Sequence, residues 1–141
     1  IEEVMPIVSG MKVLEVGCAE GGVLKAFSKR DCVGVGVELD EARLQIAIDF
    51  NQEDVHSGAM TLVAKNVYDL EFQNQYNEYF DLIVLKDVIE HIHDQEKVMM
   101  VLKNFLKPDG YIFFGFPPFN MPFGGHQQVG WWTGLYLQSQ R

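Results

Sequence analysis

From Glu15 to Gly22 the chain reads Glu-Val-Gly-Cys-Ala-Glu-Gly-Gly, a carboxylate followed at once by small residues. With little side chain in the way, such a backbone can turn sharply and approach a ligand closely. A helix starting near Gly22 would present unbonded N–H groups at that turn. Gly17, Ala19 and Gly22 fit a loosened G-x-A-x-x-G dinucleotide fingerprint, and a plain glycine-rich turn is the alternative. Glu38 stands about twenty residues after Gly17, where a carboxylate at a strand end can accept from both hydroxyls of a ribose. Helix capping competes for Glu38 and Asp40. Glu38 lies closer to the strand end, so it is assigned the ribose and Asp40 the cap.

Histidine is the usual base near neutral pH, and four are available: His56, His91, His93 and His126. His91 follows an apolar run, and His126 closes the segment 116–126 (FPPFNMPFGGH). For each, a structural or solvent-facing role stands beside the catalytic one. Glu90, His91 and His93 do not share one face of a short helix, so no metal site is expected. In the 116–126 segment Pro117, Pro118 and Pro122 restrict the backbone, while Gly124 and Gly125 supply permissive joints. That composition suits a flap over a site, with Phe119, Met121 and Phe123 excluding water and Asn120 or His126 orienting a substrate. It suits equally a surface connection that packs its aromatics on the core.

The elements that must position these residues alternate along the chain. Strand patterns are predicted at 11–16 (MKVLEV), 32–39 (CVGVGVEL), 60–64 (MTLVA), 80–85 (FDLIVL) and 111–116 (YIFFGF). Between them, 23–30 places Val23, Leu24 and Phe27 at helical spacing. Asp40 caps a helix in which Ala42, Ile46 and Phe50 recur every four residues. A polar loop follows the third strand. Asp94 caps a helix carrying Val98, Met99, Leu102, Phe105 and Leu106 on one face, ending in Lys103, Lys107 and Pro108 with Asp109-Gly110 as the turn. Strands separated by helices predict right-handed βαβ units: an α/β fold, Rossmann-like and doubly wound, with a mainly parallel sheet and helices on both faces. Ligands of such sheets bind at the carboxyl ends of the strands. The closing stretch 129–141, with Trp131, Trp132, Leu135, Tyr136 and Leu137, suits a helix, a cover over the site or a homodimer contact.

With 141 residues the chain has room for one domain, 1–141, and the opening Ile1 reads as the start of a fragment. No apolar run approaches the roughly 20 residues of a membrane span. Two cysteines, Cys18 and Cys32, make no disulfide framework and no zinc motif, which points to the cytoplasm. A formal charge of −9 without a basic stripe argues against nucleic acid and leaves a small-molecule substrate.

Four segments in order carry a family resemblance. The string 13–21 (VLEVGCAEG) resembles the first motif of class I S-adenosylmethionine-dependent methyltransferases, with its acidic residue two places before the first glycine. A dinucleotide enzyme usually has an apolar residue there. The string 35–40 (VGVELD) is similar to the family's second motif, 80–92 (FDLIVLKDVIEHI) to its fourth-strand motif, and 102–111 to the helix and turn before its fifth strand. The resemblance covers about residues 11–116. Two positions depart from the pattern: Ala19 replaces the middle glycine, and Asn66 stands where an aspartate often holds the adenine amino group. An amide carbonyl can also accept from that group.

The resemblance implies S-adenosylmethionine as cofactor and methyl transfer to an O, N or C atom of a small-molecule acceptor. It places Glu15 and Gly17, with Cys18 and Ala19 in the same loop, near the methionine portion. Glu38 would hold the ribose, Leu39 one adenine face, and Asn66 with Val67 the adenine edge. Lys86 would lie near the sulfonium; the family uses mainly the backbone at that point, and a solvated surface lysine is the plainer reading of its side chain. His91 and His126 are the candidate bases. The family normally adds two strands after the fifth, more than this length holds, so the domain is expected to be incomplete at its C-terminal end. A nicotinamide-dependent oxidoreductase and a catalytically silent domain of the same fold remain the alternatives.

Overall fold

The Val-rich runs form strands because branched side chains suit a pleated surface covered on both faces. A computed structural model describes residues 1, 5–116 and 133–138. In it β1 (Lys12–Val16), β2 (Val33–Val37), β3 (Met60–Val63), β4 (Phe80–Lys86) and β5 (Leu106–Phe116) lie parallel in one sheet. A sixth strand, β6 (Thr133–Gln138), joins antiparallel to β5, giving the order β3-β2-β1-β4-β5-β6. The chain moves outward from β1 to β3, then crosses back to β4. Strand order therefore reverses between β1 and β4, and a crevice opens there at the carboxyl ends.

Both faces are packed. From β4, Leu82 and Val84 enter a cluster with Leu24 and Phe27 of α1 (Gly22–Ser28). Ile83 and Leu85 point the other way, toward Val98, Leu102 and Phe105 of α5 (Gln95–Phe105). This is the doubly wound α/β arrangement expected from the sequence. At the amino-terminal edge Asp81 accepts from the Lys12 N–H at 2.8 Å and pairs with the Lys107 ammonium at 2.7 Å, joining β1, β4 and the start of β5.

Four local expectations are corrected. In the helix capped by Asp40, here α2 (Glu41–Phe50), the inward residues are Leu44 and Ala47, while Ile46 and Phe50 are 54% and 70% exposed. A short α3 (Gln52–Ser57) follows at once. The polar loop after β3 contains α4 (Leu70–Gln75), anchored by Phe72, whose ring lies 4.7 Å from Tyr76 and 5.5 Å from Phe105. Leu106 belongs to β5 and not to the preceding helix: it pairs with Phe80, residues 107–110 bulge out, and Tyr111 resumes pairing opposite Leu82. Within 129–141, residues 133–138 form a strand and not a helix.

Candidate functional site

At the carboxyl ends of β1 to β4 the loops enclose a cleft of about 1000 Å³. Of the residues singled out from the sequence, Glu15, Gly17, Cys18, Ala19, Glu38, Leu39, Asn66, Val67, Lys86 and His91 all line it. His126 and the proposed flap at 117–126 lie outside the described residues. His56 sits on α3, where its Nδ1 lies 2.7 Å from the Gln52 carbonyl, away from the cleft lining.

The first loop leaves β1 through Gly17, at φ +68°. A Cβ there would fall 2.6 Å from a methyl of Val88, the residue two past β4, so only glycine lets the two loops meet. The N–H groups of Gly17 and Cys18 donate to the Val37 carbonyl at 2.8 and 3.1 Å, which ties the turn to the end of β2. Ala19 takes φ +45°. The turn thus accepts alanine where the family pattern has glycine, at the strain of a left-handed L-residue. The Cys18 side chain packs inward with Leu24 and Met60, and burial pushes its thiol up to about 12. It offers the site backbone, not a nucleophile.

Glu38 bridges two loops. One carboxylate oxygen accepts from the Leu39 and Asp40 N–H groups at 2.8 and 3.1 Å, and the other from Ala19 at 3.1 Å. Glu38 is therefore a turn-former as well as a cleft residue, and its second oxygen keeps a free lone pair. Asp40 caps α2 as expected, accepting from Ala42 and Arg43. The Asn66 side-chain carbonyl accepts from the Tyr68 N–H at 3.1 Å, an Asx turn that also leaves one lone pair.

Glu15 is the least ordinary group. It is 3% exposed, and its Oε2 has no hydrogen-bond partner among the described residues. Burial raises its carboxyl from near 4.5 to about 8, and the Leu24 N–H and the Lys86 ammonium offset this only in part. Lys86 is half-buried in the cleft wall, not a freely solvated lysine. His91, on a 3-10 turn spanning Ile89–His91, is exposed at the rim. Sequence reasoning missed Arg43, Lys65 and Asp87, which also line the cleft. Asp87 sits at φ +55°, and a short polar residue directly after a strand was the available signal.

A sheet with its cleft at a strand-order reversal has counterparts among known proteins. Residues 1–139 match the model of a family described as a methyltransferase domain. The ubiquinone biosynthesis O-methyltransferase of Pasteurella multocida is 29% identical over 116 residues, covering 75% of this chain and 46% of that protein. Its counterpart from Actinobacillus pleuropneumoniae serotype 7 is 32% identical over 108 residues, covering 74% and 45%. The chain thus spans less than half the length of these curated relatives. Among solved structures, a SAM-dependent methyltransferase from Aquifex aeolicus superposes with a TM-score of 0.70 at 17% identity, covering 84% of this chain and 63% of that one. Phosphoethanolamine N-methyltransferase 2 of Haemonchus contortus, solved with S-adenosyl-L-methionine, gives 0.69 at 24% identity, covering 81% and 26%. On the family match over nearly its whole length, this chain belongs to the methyltransferase domain family.

Proposed function

We propose that the protein is an S-adenosylmethionine-dependent methyltransferase acting on a small-molecule acceptor, with the cofactor in the crevice between Glu15 and Asn66. The observation that carries this reading is the buried Glu15 carboxyl, with one oxygen unpartnered among the described residues and Glu38 just past the end of the neighbouring strand. In the cleft lining Glu20, Glu38 and Asp87 face Arg43, Lys65 and Lys86, while Glu15 holds its proton at neutral pH until a cation meets it. Such a mixed lining suits a ligand that carries an ammonium and a sulfonium together with a carboxylate. Gly17 and Ala19 would face the methionine portion, Glu38 the ribose, and Leu39, Asn66 and Val67 the adenine.

Bound S-adenosylmethionine supplies a methyl group already activated by sulfonium charge. The chain's own work is then alignment of the acceptor and exclusion of water. Where the acceptor must lose a proton, His91 and His126 are the candidate bases; alanine at the working one should lower turnover and spare cofactor affinity. The O-methyltransferase relatives make a hydroxyl the first acceptor to try. Cytoplasmic residence, a partner other than nucleic acid and a homodimer complete the reading; no described helix is long and apolar enough to cross a membrane.

Calorimetry with S-adenosylhomocysteine and NAD in parallel tests it. S-adenosylhomocysteine should bind more tightly, and Glu38→Ala should weaken it by about 1–3 kcal/mol, the range for stranded hydrogen-bonding groups. Tighter binding of NAD would overturn the assignment, and unchanged affinity in the variant would remove Glu38 from the site. Binding of S-adenosylhomocysteine without turnover of any hydroxyl, amine or carbon acceptor would favour the catalytically silent domain.

A further inference from the structure

Asn51 is, with Glu15, one of two buried polar or charged residues among those described, and it is 0% exposed. It stands at the joint between α2 and α3. Its N–H donates to the Ala47 carbonyl at 3.0 Å, and its own carbonyl accepts from Val55 at 3.0 Å. The side chain reaches back out of that joint. Its Nδ2 donates to Ala47 O at 2.7 Å and to Glu20 O at 3.1 Å, thirty-one residues away in the first loop.

Both partners are carbonyls, so the chemistry fixes which end of the amide faces them. Its Oδ1 is left buried with no partner among the described residues, a cost that an apolar side chain of the same size would avoid. The contact is also tight. Gly21, next to Glu20, holds φ +74°, and a Cβ on it would fall 2.8 Å from Nδ2. The amide therefore lies against the rear of the loop whose front, through Cys18, Ala19 and Glu20, lines the cleft. Within the loop itself, Gly21 N–H donates to Cys18 O at 2.7 Å. The helix that follows has an anchor of its own, since Lys25 pairs with Asp54 of α3.

We propose that Asn51 is a positioning residue for cofactor binding: by clamping the Glu20 carbonyl from behind, it holds the first loop in the shape that meets the ligand. The inference rests on the cofactor site proposed above. Because Leu24 and Phe27 bury α1 in the core, loss of the clamp should loosen the loop while leaving the helix docked. Asn51→Asp keeps the shape and removes the donor; Asn51→Ala removes both. Leu44→Ala serves as control, since it empties a buried position of α2 that is not among the residues lining the cleft.

Calorimetry with S-adenosylhomocysteine, below each variant's melting transition, reads affinity, and a thermal melt reads stability. Both Asn51 variants should bind about tenfold more weakly, as for a loop that keeps the binding shape only about a tenth of the time. Leu44→Ala should lower the melting temperature at least as far and keep its affinity within about twofold of the parent. Parent-like affinity in both Asn51 variants, or an equal loss in Leu44→Ala, would overturn the positioning role. Absence of binding to the parent protein is a separate result: it removes the cofactor reading, and this inference with it.

Discussion

A carboxyl that is buried, half-satisfied and raised to about 8 makes folding and binding depend on pH in opposite directions. Below about 4.5 Glu15 is protonated whether the chain is folded or not. Between there and 8 only the folded form keeps the proton, so stability falls by roughly 1.4 kcal/mol per pH unit from this group. Above 8 both forms are ionised and the full penalty is present. Glu15→Gln removes the titration. The variant should match the parent in melting temperature near pH 4.5 and exceed it clearly at pH 8.5; parallel melting curves for the two proteins across that range would refute the shift. A cationic ligand prefers the ionised carboxylate, so cofactor affinity should rise toward pH 8 with release of a proton. Calorimetry in two buffers of different ionisation enthalpy measures that release. Glu15 could be named from its place two residues before Gly17, but its protonation could not. That follows from how completely β1, β4 and α1 exclude water around it.

At the level of elements, legibility followed the strength of the pattern. The strands and the Asp40 and Asp94 caps were readable because unbroken apolar runs and capping carboxylates leave few alternatives. The inward face of α2 was not, because its sequence offers two apolar stripes. Ala42, Ile46 and Phe50 form one; Leu44, Ala47 and Ile48 form the other, and tertiary docking selects the second. The helix α4 escaped because six mostly polar residues carry no period, and it forms around the single anchor Phe72. Asn51 left no sequence signal at all, since its partner Glu20 is distant in the chain. The α2 assignment gives a direct test. Leu44→Ala should cost about 2–4 kcal/mol, as a buried truncation does. Phe50→Ser should change stability by no more than about 0.5 kcal/mol. Chemical denaturation of both variants decides it, and a larger loss at Phe50 would mean that the outer stripe is covered in solution.

Across the whole molecule the sheet separates two jobs along the strand direction. Positive φ occurs at both ends, at Ala19 and Asp87 after strands and at Asp31 and Glu78 before them, but the half-satisfied groups sit at the carboxyl ends: Glu15 with an open oxygen, and Glu38 shared between loops. Its amino-terminal edge is closed. There Asp81 accepts the Lys12 N–H and pairs with Lys107, beside a Lys12 ammonium lying 3.9 Å from the Tyr79 ring centre. A crevice formed by strand reversal needs its loops held by a sheet that does not shear, and the Asp81 ties supply that at the far end. Stability and binding should therefore be separable by mutation. Asp81→Ala removes a hydrogen bond to backbone and a partly exposed ion pair, together about 1–2 kcal/mol. The melting temperature should fall by several degrees, while affinity for S-adenosylhomocysteine, measured well below the transition, stays within about twofold. A tenfold loss of affinity would mean that strain at one edge is transmitted along β4 to the loops after Lys86. The sheet would then be a lever coupling its two ends, and the Asp81 ties would belong to the binding machinery.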